Sequence, residues 1–74
     1  MSDAIQTLRN NIILLRAQKR LTQHALAKQA GLAQSTLAHI ESRSPDVSVG
    51  TVEKIARALE IDPAVLLFKK MEIV

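Results

Sequence analysis

The sequence predicts an all-α domain of five short helices. Three observations carry that prediction. Apolar residues recur at steps of three and four through most of the chain, the period of an amphipathic helix. The only glycines and prolines, Gly31, Gly50, Pro45 and Pro63, fall where a helix should start or stop. No segment outside the C-terminal tail reads as a strand. With 74 residues there is room for a single domain, residues 1–74, around one modest core.

The first helix is expected from about Asp3 to Lys19, because Ile5, Leu8, Ile12 and Leu15 form one stripe that Ile13 and Leu14 widen. The second is expected over Gln23–Gln29. Thr22 is its N-cap, Leu21 staples onto Leu26, and Gly31 supplies the left-handed residue that stops it. The third runs over Gln34–Glu41 with Leu37 and Ile40 facing inward. ESRSPDVSVG is polar and turn-rich and reads as the one true loop. The fourth helix, Val49–Glu60, is capped by Ser48 and buries Val52, Ile55, Ala56 and Leu59. The fifth opens on Asp62 with Pro63 in its first turn, where the missing N–H costs nothing. The tail KKMEIV fits helix, strand or disorder alike.

Composition narrows the function. Ten Lys and Arg against seven Asp and Glu give a net charge of +3, which mildly favours an anionic partner. Phe68 is the only aromatic residue, so Leu, Ile, Val and Ala must build the core. There is no cysteine, which removes disulfides and thiolate metal sites. MSDAIQTLRN has neither the positive n-region nor the apolar h-region of a signal peptide, and runs such as Ile12–Leu15 fall far short of a membrane span. The expectation is a soluble, cytoplasmic protein.

The informative segment is LTQHALAKQAGLAQSTLAHIE, Leu21–Glu41. Two short helices flank a turn of three or four residues containing Gly31, a spacing that sets the second helix steeply across the first. Ala27 is small enough to let them cross closely, and Leu32 plugs the corner. Leu37 and Ile40 hold the second helix from behind and leave Gln34, Ser35, Ala38, His39 and Ser42 on its free face. From Arg16 to Phe68 the chain resembles the Xre-type, phage-repressor and Cro family of helix-turn-helix domains. LTQ…LA…AGL…S…IE, then S…T…IA.AL.I and a final LLF, carry the likeness. It implies a compact five-helix, lambda-repressor-like fold with the motif at about 22–42, and a function in binding double-stranded DNA as a transcription regulator.

The resemblance also assigns roles. The second motif helix enters the major groove and the first crosses the backbone. By position, Gln34, Ser35 and His39 become the base-reading residues. Gln pairs bidentately with adenine, Ser donates or accepts at many base edges, and His donates to guanine or a phosphate. Gln23 matches a backbone-contacting position, and Thr22 joins that set. Thr36 faces a phosphate or lies against the first helix. Lys19, Arg20, Lys28 and Arg43 are expected ionic contacts to phosphate. Arg16 and Glu41 match a family ion pair that fixes the reading helix on the first helix. Two departures stand out. Ala33 occupies a cap position where the family has Ser or Thr, and Arg43 stands near where it favours Gly. A homodimer on a pseudo-palindromic operator is expected, with Val65, Leu67, Met71, Ile73 and Val74 in its interface and Leu66 and Phe68 completing the monomer core.

Other classes fit less well. The two histidines lie fifteen residues apart on separate motif helices, which leaves a metal without ligands. Ser35 and His39 share a helix face, but no acid stands beside them to orient the imidazole. No Gly-rich phosphate loop is present, so neither an enzyme nor a cofactor is expected. The rival is an antitoxin-like or protein-interaction module on the same fold, which a DNA-binding salt series separates.

Overall fold

The computed structural model describes residues 3–43 and 47–71. It contains five helices, α1 (Asp3–Gln18), α2 (Gln23–Ala30), α3 (Gln34–Arg43), α4 (Val49–Ala58) and α5 (Pro63–Phe68), and no strand among the described residues.

Local chemistry sets the helix starts. Thr22 Oγ1 accepts from the Ala25 N–H at 3.0 Å, Ser48 Oγ from Thr51 N–H at 3.1 Å, and Asp62 Oδ1 from Ala64 N–H at 2.8 Å. Each satisfies a donor that the first helical turn leaves without an intrahelical partner. At α3 the Ala33 carbonyl accepts from Thr36 and Leu37 N–H, but alanine has no side-chain acceptor to offer.

The ends of α1, α2 and α4 share one device. Arg20, Gly31 and Glu60 adopt left-handed backbone at φ 56°, 72° and 58°. After each, the next residue donates back across the turn: Leu21 to the Arg16 carbonyl, Leu32 to Ala27, and Ile61 to Ala56. The left-handed residues themselves donate to Ala17, Lys28 and Arg57 carbonyls, and the two bonds together make the Schellman motif, whose hydrophobic residue packs inward. Leu21, Leu32 and Ile61 all lie against the core. Around Gly31 an added Cβ would meet open space, so its φ alone is what favours glycine there. Arg20 and Glu60 hold the same conformation at a steric cost of about 1 kcal/mol each.

The core is a single cluster. Leu8 and Ile12 of α1, Leu26 and Ala27 of α2, Leu37 and Ile40 of α3, and Val52, Ile55 and Ala56 of α4 meet Leu59 and Leu66. α1 packs against α3 and α5, α2 against α3 and α4, and α4 against α5. The α2–α3 pair is thus buttressed by α1 behind α3 and by α4 behind α2.

Several expectations need correction. α3 continues to Arg43 rather than Glu41, which shortens the expected loop at its N-terminal end, while α4 starts at Val49 as expected. Residues 44–46 of that loop lie outside the described residues. α4 stops at Ala58 rather than Glu60, because Glu60 turns left-handed, although Leu59 is still buried. Phe68 does not complete the core. It is 68% exposed, while Leu66 is fully buried. Two residues at about 100° each place Phe68 about 200° round the helix from Leu66, so one short helix cannot bury both. Leu67, expected in the dimer interface, packs part-buried against the core of its own chain.

Candidate nucleic-acid interface

Glu41 organises the back of α3. Leu37, Ile40 and Glu41 are the buried residues of that helix, at helical spacing on one side. The Glu41 carboxylate accepts from Arg16 Nη2 at 2.9 Å and Arg16 Nε at 3.1 Å, a two-pronged geometry. Arg16 Nη1 also donates to the Leu21 carbonyl at 3.0 Å. One guanidinium therefore joins α1, α3 and the turn that enters α2. Glu41 is nearly buried and Arg16 about one-quarter exposed, so the acid depends on the pair more than the base does.

Two further residues converge here. Gln23 Nε2 donates to Glu41 Oε1 at 3.1 Å, so this half-buried side chain faces the ion pair. Arg9, to which the sequence assigns no role, donates from Nε to the Glu41 backbone carbonyl. Its spacing from Arg16, seven residues on one helix, was the available signal.

On the opposite side of α3, Gln34, Ser35, Thr36, His39, Ser42 and Arg43 are exposed and Ala38 is half-buried. Thr36 is therefore not packed against α1. Ser35, Thr36 and His39 border a groove completed by Ile40, Val47, Ser48 and Thr51. Sequence alone gives Ser48 only a capping role and Thr51 only a place in the S…T…IA pattern, yet their hydroxyls, 2.9 Å apart, share this wall. Gln34 borders a second groove with His24, Ala27, Lys28 and Leu32. Thr22 commits its oxygen to the α2 cap. Lys19, Arg20 and Lys28 are exposed around α2, and Arg43 at the end of α3.

The tail side has its own polar centre. Asn11 is buried at 1% exposure. Its Nδ2 donates to the Leu66 carbonyl at 2.8 Å and the Lys69 carbonyl at 2.7 Å, and its Oδ1 accepts from the Met71 N–H at 3.2 Å. Val65, Leu67 and Met71 are half-buried beside exposed Phe68. Ile73 and Val74 lie outside the described residues. Among the described residues no three His, Cys, Asp or Glu side chains are grouped to hold a metal, and no helix is long and apolar enough to cross a membrane.

Fold and exposed α3 face together describe a helix-turn-helix domain. The helix-turn-helix family pattern matches residues 12–66. The chain belongs to the Xre-type helix-turn-helix family of DNA-binding transcription regulators. Among solved structures it is similar to a hypothetical transcription factor from Neisseria, with 30% identity and a TM-score of 0.83 over 89% of this chain and 76% of that one. It is also similar to the restriction–modification controller protein C.AhdI from Aeromonas hydrophila, with 32% identity and a TM-score of 0.78 over 89% and 98% of the two chains. A third likeness is to a mutant of the controller protein C.Esp1396I bound to its highest affinity operator site, with 26% identity and a TM-score of 0.80 over 89% and 87%. No curated protein sequence matches the chain.

Proposed function

We propose that the protein is a sequence-specific regulator of the Cro-like or restriction–modification controller type, acting as a cytoplasmic homodimer on a pseudo-palindromic operator. The observation that carries this reading is the division of α3 into two faces. Leu37, Ile40 and Glu41 fix it from behind, while Gln34, Ser35, Thr36 and His39 are exposed on its N-terminal half. These exposed groups donate and accept hydrogen bonds and include no acid. That suits base edges read at close range beside phosphates.

Gln34, Ser35 and His39 are the base-reading residues of this proposal. Thr36, Thr22, Lys19, Arg20, Lys28 and Arg43 serve the phosphates. Gln23 belongs at the boundary, since its amide already serves Glu41 and has one N–H left for a phosphate. Likeness to an operator-bound controller protein supports the DNA partner.

Size supports the dimer. The Cα atoms extend 28 × 26 × 20 Å, whereas successive half-sites of this motif class lie about 34 Å apart. One copy therefore reads one half-site. Phe68, exposed beside Val65, Leu67 and Met71, gives the two-fold partner an apolar surface to cover.

Selection of duplexes from a random pool, followed by a salt series, tests the reading. The expected result is an enriched pseudo-palindrome and binding to unrelated duplex that falls steeply with salt. No enrichment and no salt-dependent binding would instead point to a protein-interaction module.

A further inference from the structure

His24 is the α2 side chain that reaches the reading set. Its Nδ1 lies 3.3 Å from Gln34 Oε1, with both residues exposed. A carbonyl oxygen only accepts, so this pairing is a hydrogen bond in the tautomer that places a proton on Nδ1. His24 and Lys28 stand one turn apart on α2, and the groove they share with Gln34 includes Ala27 and Leu32.

A free glutamine amide can present either end to a base. Held by an Nδ1–H, it keeps its oxygen toward His24 and turns over only if the ring first moves that proton to Nε2. Oε1 has a second lone pair, and both Nε2 hydrogens remain available. That is the combination an adenine edge requires, since N6 donates and N7 accepts. Guanine presents two acceptors, O6 and N7, and would set O6 against Oε1.

We propose that His24 is a specificity-determining positioning residue, whose Nδ1–H fixes the Gln34 carboxamide in the orientation that accepts adenine and disfavours guanine. This rests on the DNA-reading role of Gln34 given above. Lys28 in the same groove acts differently, because a phosphate contact is blind to sequence.

The experiment uses the full chain, the duplex selected from the random pool, and the same duplex with A·T replaced by G·C at the base pair whose identity ceases to matter in Gln34→Ala. His24→Ala should lower the adenine-to-guanine preference by roughly 3–10-fold, the worth of one hydrogen bond, with binding to unrelated duplex unchanged. His24→Asn, whose Nδ2 stands close to where ring Nδ1 stands, should keep the preference. In a Gln34→Ala background the loss of His24 should change nothing. A loss uniform over all duplexes, a loss that persists without Gln34, or no loss at all would each overturn the proposal. Ring ¹⁵N shifts of His24 in the DNA-free protein give a second reading. A protonated Nδ1 is expected, with Gln34 amide resonances that move in His24→Ala. An Nε2–H tautomer with unmoved Gln34 resonances overturns the positioning role by itself. Failure of the wild-type chain to select any duplex overturns the DNA-reading function, and the nitrogen shifts still decide the His24–Gln34 bond.

Discussion

The C-terminal half of α1 grips α3 through a charge, whereas its middle grips the tail through a neutral amide. Arg16 holds a carboxylate with two prongs and stays about one-quarter in solvent. Asn11 is sealed in and spends its amide on three backbone groups at the end of α5 and just beyond. The charged clamp fixes the helix proposed to meet DNA, and the neutral one fixes the segment proposed to meet a second copy. A charge suits the first task because the two Glu41 carboxylate oxygens are met together by one forked donor from a neighbouring helix. An amide suits the second because unpaired carbonyls and an N–H must be met together, without desolvating an ion.

Breaking each clamp should separate the two tasks. Arg16→Ala leaves a nearly buried carboxylate with Gln23 as its remaining side-chain partner. It should cost about 3–5 kcal/mol in a denaturant titration. If Arg16→Ala and Glu41→Ala each left the midpoint within experimental error, the ion pair would be an ornament of the surface. Asn11→Ala should cost about 2–3 kcal/mol, because Leu66 O, Lys69 O and Met71 N lose their partner. At concentrations where the fold is kept, Asn11→Ala should also weaken self-association in sedimentation, while an Arg16 variant should lower operator binding instead. Equal effects of both variants on both readouts would erase the distinction.

Smaller changes sharpen the picture at the helix ends. Ala33→Ser should raise stability by about 1 kcal/mol, by supplying α3 with the acceptor that Thr22, Ser48 and Asp62 supply elsewhere. Arg20→Gly or Glu60→Gly should stabilise by a few tenths of a kcal/mol, as relief of left-handed strain outweighs the entropy of glycine. Thermal midpoints that fall in these variants would show that the Arg20 or Glu60 side chain contributes something glycine cannot.

The same contrast explains what could be read in advance. Helix positions, three caps and the Gly31 stop were legible because each depends on residues adjacent in sequence. The Arg16–Glu41 pair was legible only through resemblance, since 25 residues separate the partners. Asn11 left a signal that was passed over. It stands at a stripe position, with Leu8 three before it, Ile12 after it and Leu15 four beyond, where a polar residue must find buried partners. The left-handed turns at Arg20 and Glu60 left a weaker one, a hydrophobic residue just past a helix end. Phe68 was misplaced because the apolar run through Leu67 and Phe68 hides how few faces a six-residue helix can bury. The His24–Gln34 bond was illegible, since it depends on how α2 and α3 cross.

The division of α3 into a held face and a reading face is tested most directly by Gln34→Ala together with Ser35→Ala. Thermal melts and titrations against the selected operator and a scrambled duplex should be run side by side. The expected result is an unchanged melt, unchanged binding to the scrambled duplex, and a loss of about 1–3 kcal/mol of operator preference per residue removed. Operator discrimination equal to wild type in the double variant would contradict the account.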